Sequence, residues 1–178
     1  GSRYRAEDLV VAAAGAVEHE RLAETIAAQF APPAGAPLPL SGPPAGFVPR
    51  VRHETRDDLH QLYLALGTRG LGYGDPDRHT LVVLNNLLGG GMSSRLFQSV
   101  REEAGLAYSV FSAADFYRET GMVTIQLGVS PDRAREALGK VREELESLSG
   151  EGPTEAEVAA ARFQLKGGIV MGQESVST

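Results

Sequence analysis

The sequence predicts an α+β domain in which a mixed, largely antiparallel sheet packs against helices. Residues 59–67 alternate in the manner of a strand, with one face formed by His60, Leu62, Leu64 and Leu66. Residues 108–117 and 121–129 flank a turn at Glu119 and Thr120, which is typical of an antiparallel pair. Segments with apolar residues at helical spacing lie between and after these strands. Together these observations favour a sheet covered by helices.

The composition limits the class of protein. The chain has 178 residues, of which 42% are hydrophobic and 22% charged, with a formal net charge of -6. This length allows one globular domain, or one and a fraction. Because cysteine is absent, a disulfide scaffold, a thiolate zinc site and a cysteine nucleophile are excluded. The diffuse basic residues argue against a nucleic-acid partner, and no apolar run reaches the ~20 residues that span a membrane.

The first part of the chain predicts a strand, a helix and a linker. Residues 9–15 form a short apolar run that predicts a buried strand, and a four-residue apolar repeat predicts a helix through Leu22, Ile26 and Phe30. Seven of the ten prolines lie in residues 31–49, mixed with glycine and alanine. We therefore interpret residues 31–49 as a linker between residues 1–30 and residues 50–178.

After the linker, residues 50–56 predict a strand that precedes the one at residues 59–67. Asp75 and Pro76 then predict the start of a helix, because aspartate caps free N–H groups and proline fits a first helical turn. This helix is apolar on nearly all sides, so we expect it to be central in the domain. The glycines that begin at Gly89 predict the end of this helix.

A second helix is predicted from Ser93 or Ser94 to Gly105, a typical C-terminal stop, and its inward-facing residues are Leu96, Phe97 and Val100. A strand then begins at Tyr108.

Two helices are predicted after the strand pair. Ser130 and Pro131 start the first, whose apolar stripe consists of Ala134, Leu138, Val141, Leu145 and Leu148. Thr154 and Glu157 have the spacing of a capping box, which starts the last helix through Val158, Ala161, Leu165 and Ile169.

The four histidines do not form a recognisable metal site. They lie at positions 19, 53, 60 and 79, and none belongs to an HExxH or HxxEH pattern, which would place two ligands and a carboxylate on one helix face. We expect surface or packing roles for all four.

A glycine-rich turn joins the two central helices and consists of Gly89, Gly90, Gly91, Met92, Ser93 and Ser94. Free N–H groups at a helix N-terminus can bind an anion, so phosphate binding is one interpretation. The turn has neither a following Gly-Lys-Ser/Thr nor a G-x-G-x-x-G pattern. The residues therefore favour a tight turn between helices.

Arg101 and Tyr108 form the most suggestive pair in the sequence. A guanidinium in a last helical turn and a phenol at a strand start, separated by a glycine reversal, could both donate hydrogen bonds to a carbonyl or an oxyanion. The alternative is that Arg101 caps its own helix and Tyr108 packs. The residues alone favour this alternative.

Three segments carry a resemblance to a known family. They are LGGGMSSRLFQSVREEAGLAYSV at residues 88–110, the A-x-x-Q-L-K-G pattern at residues 161–167, and VVAAAGAVEHERLAETIAAQF at residues 10–30. All three are similar to segments of the M16 zinc metallopeptidases, the family of pitrilysin, insulysin and the mitochondrial processing peptidase. The first segment is highly specific for this family.

The resemblance implies the M16 or LuxS/MPP-like metallohydrolase fold. It makes residues 1–30 the terminal strand and helix of the family's first domain, and residues 50–178 a truncated second domain without zinc. The family's catalytic centre is an HxxEH helix with a downstream Glu in the first domain, and this sequence contains neither. We therefore expect zinc in the parent enzyme and none bound to this chain. We also expect the chain alone to be inactive as a peptidase, because the HxxEH site is absent.

In the M16 family, an arginine and a tyrosine seven residues apart in the second domain contribute to the active site. Their motif positions here are Arg101 and Tyr108. The resemblance implies that this pair stabilises the oxyanion formed at zinc and aligns the peptide. The second choice for substrate contact is the glycine-rich turn, through Gly89, Gly90, Gly91, Ser93 and Ser94.

The function implied is the substrate-enclosing portion of an M16-type zinc metalloendopeptidase. The alternative is a non-catalytic M16-like partner subunit or a peptide-binding module. Expected partners are a peptide or unfolded-protein substrate and an HxxEH-bearing first domain or subunit, with a homodimer possible. Neither nucleic acid nor a membrane is expected, and the expected location is the cytoplasm.

The family comparison also implies an unfilled place in the sheet, because the terminal strand and helix of the second domain are missing. An open sheet edge favours association. We therefore hypothesise that residues 9–15 join the sheet formed by residues 50–129, either within one chain or exchanged between two chains.

Overall fold

The computed structural model describes residues 10–29, 46–56 and 58–174. Residues 10–29 belong to one compact unit, and the other described residues belong to a second. In the first unit, α1 spans His19–Gln29 and half-buries Leu22 and Ile26. The predicted helix is therefore confirmed over this range, while Phe30 lies outside the described residues.

The strand predicted at residues 9–15 is wrong for the part that the structure describes. Residues 10–14 have no regular structure, and the side chains of Val10 and Val11 are 90% and 52% exposed. A strand needs a neighbour to pair with its N–H and C=O groups, and an apolar run alone does not supply one. The three described strands of the sheet do not include residues 10–14. Their addition to the sheet, within one chain or by exchange between two chains, stays a prediction.

The sheet of the second unit has three antiparallel strands. They are β1 at Leu62–Gly70, β2 at Ala107–Phe116 and β3 at Gly121–Val129, in the order β1-β3-β2. This confirms the predicted antiparallel pair, in which the Tyr117 N–H donates to the Thr120 carbonyl at 2.9 Å in the turn. It also confirms an α+β fold, although β1 begins three residues later than predicted.

The strand predicted at residues 50–56 is absent. Residues 46–56 have no regular structure, and Val51 is fully exposed. Polar residues dominate this segment, so pairing with the sheet would bury little apolar surface. The predicted linker at residues 31–49 lies outside the described residues except for residues 46–49, and the three-part division of the chain stays a prediction.

The described part of the second unit has four helical segments. They are α2 at Arg78–Gly89, a π-helix at Phe97–Glu103, α3 at Ala134–Gly150 and α4 at Glu155–Glu174. A short 3-10 helix at Pro131–Arg133 leads into α3. No helix within residues 10–29, 46–56 and 58–174 is both long enough and apolar enough to cross a membrane.

The helix start predicted at Asp75 is displaced by one turn. The Asp77 N–H donates to Asp75 Oδ1 at 2.9 Å, and the Arg78 N–H donates to the Asp75 carbonyl at 3.1 Å. Asp75 therefore caps the turn that precedes α2 rather than the helix itself. The predicted end at Gly89 is confirmed.

The core lies between β3, the π-helix segment and α3. Its largest fully buried side chains are Leu96, Val100, Leu127, Val129 and Val141. Burial of each such side chain contributes about 1.5–3 kcal/mol. The apolar stripe predicted for α3 is confirmed at Val141, whereas Leu145 is 37% exposed.

The predicted capping box at the start of α4 is confirmed. The Thr154 N–H donates to Glu157 Oε2 at 2.7 Å, and the Glu157 N–H donates to Thr154 Oγ1 at 3.2 Å. Two N–H groups at the helix start are satisfied by this reciprocal arrangement.

Glu157 also accepts a two-pronged ion pair from Arg95. Arg95 Nε lies 2.6 Å from Glu157 Oε1, and Arg95 Nη2 lies 2.9 Å from Oε2. Arg95 Nη2 also donates to the Gly152 carbonyl at 3.3 Å, and Nη1 to Ser147 Oγ at 3.4 Å. The pair therefore connects the segment before the π-helix with the end of α3 and the start of α4. The Arg95 hydrogen bonds lower the pKa of Glu157 from 4.5 to about 2.

We expect Glu157→Gln to lower the free energy of unfolding by about 2 kcal/mol at neutral pH, because it leaves a mostly buried guanidinium without its counter-charge. Because folding lowers the pKa of Glu157, its contribution is present at pH values above 4.5 and is lost as the pH falls towards 2. Urea unfolding across this range measures both effects.

The control is Glu146→Gln, since Glu146 lies 3.6 Å from Arg142 and both side chains are well exposed. We expect the free energy of unfolding of this variant to change by less than about 0.5 kcal/mol. Equal losses in the two variants, or a Glu157→Gln difference that does not shrink in acid, would contradict the assigned role of the ion pair.

Candidate functional site

Arg101 lies in the last turn of the π-helix, where the structure keeps it exposed. Leu96 and Val100 are completely buried and fix the inner face of this segment. The Arg101 side chain is 44% exposed, and its guanidinium lies 4.8 Å from the centroid of the Phe97 ring and 3.8 Å from Glu102 Oε1. The helix predicted here is confirmed, but its π geometry was not predicted. Such segments are rare and often lie at functional sites.

A glycine reverses the chain between Arg101 and the next strand. Gly105 has φ +60, a left-handed conformation that glycine adopts without strain. The Leu106 N–H donates to the Val100 carbonyl at 2.9 Å, which closes the helix end. Leu106 and Ala107 then enter the core, so the reversal is anchored on both sides.

Tyr108 occupies a β-bulge at the start of β2. Ala107 pairs with Val129 and Ser109 pairs with Gly128, so Tyr108 is the extra residue between two paired positions. Tyr108 and Ser109 are both exposed, although strict alternation would bury one of them. The Tyr108 side chain is 62% exposed. Bulges commonly redirect a side chain, and this one exposes the phenol.

The glycine-rich turn packs tightly against its neighbours. A Cβ atom added to Gly89 would lie 2.5 Å from the backbone N of Ser112 on β2, and one added to Gly91 would lie 2.4 Å from Gln164 Nε2 on α4. A Cβ on Gly90 would lie 2.6 Å from Asn86 Cα. Neighbouring backbone therefore accounts for Gly89 and Gly90, whereas Gly91 faces the end of the flexible Gln164 side chain, which can move.

The serines of this turn differ in exposure. Ser94 is buried, and both its N–H and its Oγ donate to the Gly91 carbonyl, at 3.1 and 2.5 Å. Its N–H is therefore already used and is not free for an anion. Ser93 is exposed. This geometry supports the tight-turn interpretation, and substrate contact by the turn stays a prediction.

We expect Gly89→Ala to lower the free energy of unfolding by about 1–3 kcal/mol, since its Cβ would meet backbone that cannot move freely. The matched control is Gly139→Ala in α3, where a Cβ has nothing within 4 Å. That variant should gain about 0.5–1 kcal/mol from helix propensity. Thermal unfolding compares the two, and effects of the same sign would contradict the packing role of Gly89.

The described residues do not fit a zinc site. His19, His53, His60 and His79 are all exposed and lie in different segments. Across residues 10–29, 46–56 and 58–174, no group of three or more His, Asp or Glu side chains is arranged to hold a metal ion.

Two contacts around the site were missed at the sequence level. Phe97 was expected to face inward, but it is half-buried and its ring stacks with Arg101 instead. The i, i+4 spacing of these two residues was the available signal. The Arg95–Glu157 pair joins positions 62 residues apart, and no local pattern indicates such a contact.

The fold is that of the inactive domain of a peptidase family, and comparison with known proteins identifies this family. The family model "Peptidase M16 inactive domain" matches residues 2–165. The chain belongs to this family, which confirms the resemblance.

An uncharacterized zinc protease of Mycobacterium tuberculosis is 38% identical over 187 residues, which cover 99% of this chain and 41% of that protein. The chain therefore spans less than half the length of this curated relative. A peptidase M16 inactive domain from Pseudomonas fluorescens superposes with a TM-score of 0.59 at 30% identity, over 65% of this chain and 29% of that one. A protease from Helicobacter pylori gives 0.63 at 26% identity, over 67% and 29%.

Proposed function

We propose that this chain is the substrate-enclosing portion of a zinc endopeptidase of the M16 type, and that Arg101 and Tyr108 contact the peptide bond being cleaved. Zinc and its HxxEH ligands belong to the rest of the protein or to a partner subunit. The relatives named zinc proteases support this assignment, since they are more than twice as long as the match.

The observation that carries the proposal is the pair of backbone irregularities around these two residues. A π-helix ends just after Arg101, and a β-bulge holds Tyr108. Both irregularities interrupt the regular pattern of backbone hydrogen bonds, and both leave a polar side chain exposed to solvent. Irregular backbone that is held in place by a buried core is typical of functional sites.

The alternative roles of the two residues receive little support. Tyr108 is 62% exposed, so it does not pack in the core. Within the described residues, Arg101 donates no hydrogen bond to a carbonyl at the end of its own helix; its recorded contacts are Phe97 and Glu102. Both groups therefore retain donors for a ligand.

These donors suit a carbonyl oxygen that gains negative charge. The phenol O–H and the guanidinium N–H groups both donate hydrogen bonds. Donors that are already in position stabilise such an oxygen without rearranging during the reaction. The cation–π contact with the Phe97 ring, 4.8 Å from the centroid, restricts the movement of the Arg101 guanidinium. The contribution of this chain is to bind and orient the peptide, because its described residues include no candidate metal site.

A peptide or an unfolded protein is the substrate that this proposal requires. The glycine-rich turn offers the second contact surface, through the exposed Ser93 and Gly90. An HxxEH-bearing domain or subunit is the necessary partner, and a second copy of this chain does not supply it, because the sequence contains no HxxEH pattern.

In the whole protein, we expect Tyr108→Phe to lower kcat by about 10- to 1000-fold, as for the loss of one oxyanion donor. The measurement is steady-state cleavage of internally quenched peptides from a random-sequence pool. The matched control is Tyr73→Phe, since Tyr73 is 64% exposed and its ring stacks on Arg78 at 4.2 Å. An unchanged kcat for Tyr108→Phe would remove the residue from the site.

A further inference from the structure

The sheet has one face that none of the described helices of the second unit covers. The register places three rows of residues on this open face: Tyr63, Gly128 and Ser109; Ala65, Gln126 and Phe111; and Gly67, Thr124 and Ala113. The first row is the one next to Tyr108, which precedes Ser109 in the bulge. This row is therefore continuous with the proposed contact site.

Three side chains converge over Gly128 in this first row. A Cβ atom on Gly128 would lie 2.9 Å from Ser109 Oγ, 3.5 Å from Gln61 Oε1 and 3.7 Å from Tyr63 Cε1. Gly128 is buried although it lies on the open face. The missing side chain at this position is what lets the three neighbours lie close to the sheet.

The converging groups have hydrogen-bonding capacity that the chain does not use. Among the described residues, the structure records no hydrogen bond from the Gln61 amide, the Tyr63 hydroxyl or the Ser109 hydroxyl. Tyr63 is 64% exposed, and Ser109 is also exposed. Together with the Tyr108 phenol, they present neutral donors and acceptors along one edge of the open face.

We propose that Gln61, Tyr63 and Ser109 form a binding subsite for the main chain of an extended peptide, beside Tyr108. This rests on the proposed function. Gln61 and the two hydroxyls can each donate and accept, which matches the alternating C=O and N–H groups of a peptide. The distance from β1 across β3 to β2 is about 10 Å, which an extended peptide covers in about three residues.

The absence of charge in this subsite defines what it recognises. Charged groups in the subsite would select peptides with acidic or basic side chains. Neutral groups instead bind the main chain, which is the same in every peptide. The subsite therefore adds affinity without sequence preference. Apolar side chains could cover Gly128 equally well. A packing role alone therefore does not explain the two exposed hydroxyls.

The test is Tyr63→Phe in the whole protein, with the random-sequence pool of quenched peptides as the probe. This change keeps the ring over Gly128 and removes only the hydroxyl. We expect KM to rise about 3- to 10-fold with kcat unchanged within about twofold, because the lost hydrogen bond is present before and during the reaction. Ser109→Ala should do the same.

The control is Tyr117→Phe, which removes the hydroxyl of another exposed tyrosine just after the other end of β2 and should leave both constants unchanged. Circular dichroism of each variant checks the fold. An unchanged KM in both Tyr63→Phe and Ser109→Ala overturns the subsite. A fall in kcat rather than a rise in KM also overturns it, because that result would indicate a role in the transition state.

Tyr108→Phe, measured in parallel, separates the two proposals. A raised KM in Tyr63→Phe with normal kcat in Tyr108→Phe supports the subsite and contradicts the role of Tyr108. The reverse pattern supports Tyr108 and contradicts the subsite. If the unsubstituted protein, loaded with zinc, cleaves no peptide in the pool, both proposals fail.

Discussion

Burial of one face of the sheet beneath the segment that carries Leu96 and Val100 is the constraint on which the rest of the structure depends. Both side chains are completely buried, and the same core includes Leu127 and Val129 of β3. With Val100 fixed before the reversal and Ala107 fixed after it, the intervening residues have little freedom. The exposed positions of Arg101 and Tyr108 follow from these buried anchors.

A second interaction, at the start of this segment, reinforces the same arrangement. The Arg95–Glu157 ion pair joins the residues before the π-helix to α4, and Glu157 is held at the same time by Thr154. The low pKa of Glu157 reflects these donors. Hydrophobic burial positions the segment, and the ion pair connects it to the helices around it.

The sequence predicted features whose causes are local. The strand pair at residues 108–129, the capping box of Thr154 and Glu157, and the glycine stop after α2 depend on neighbouring residues and were confirmed. The strands at residues 9–15 and 50–56 failed because strand formation depends on a partner that the segment itself does not encode. The π-helix and the bulge at Tyr108 each involve one extra residue, which apolar periodicity does not reveal.

The candidate site also combines features with local causes and features that depend on the folded structure. Local chemistry alone favoured packing for Arg101 and Tyr108, and only the resemblance to a known family indicated a functional pair. The subsite over Gly128 could not be predicted, because it combines residues of β1, β2 and β3 through a register that only the folded sheet defines. A glycine within a strand was the single available signal.

The central claim is that Arg101 and Tyr108 act together on one group of the substrate. A double-mutant cycle with Arg101→Ala and Tyr108→Phe, measured as kcat in the whole protein, tests it most directly. If both side chains donate to the same oxygen, the double variant should lose clearly less than the product of the two single losses. Losses that multiply, or a single variant with unchanged kcat, would contradict the account.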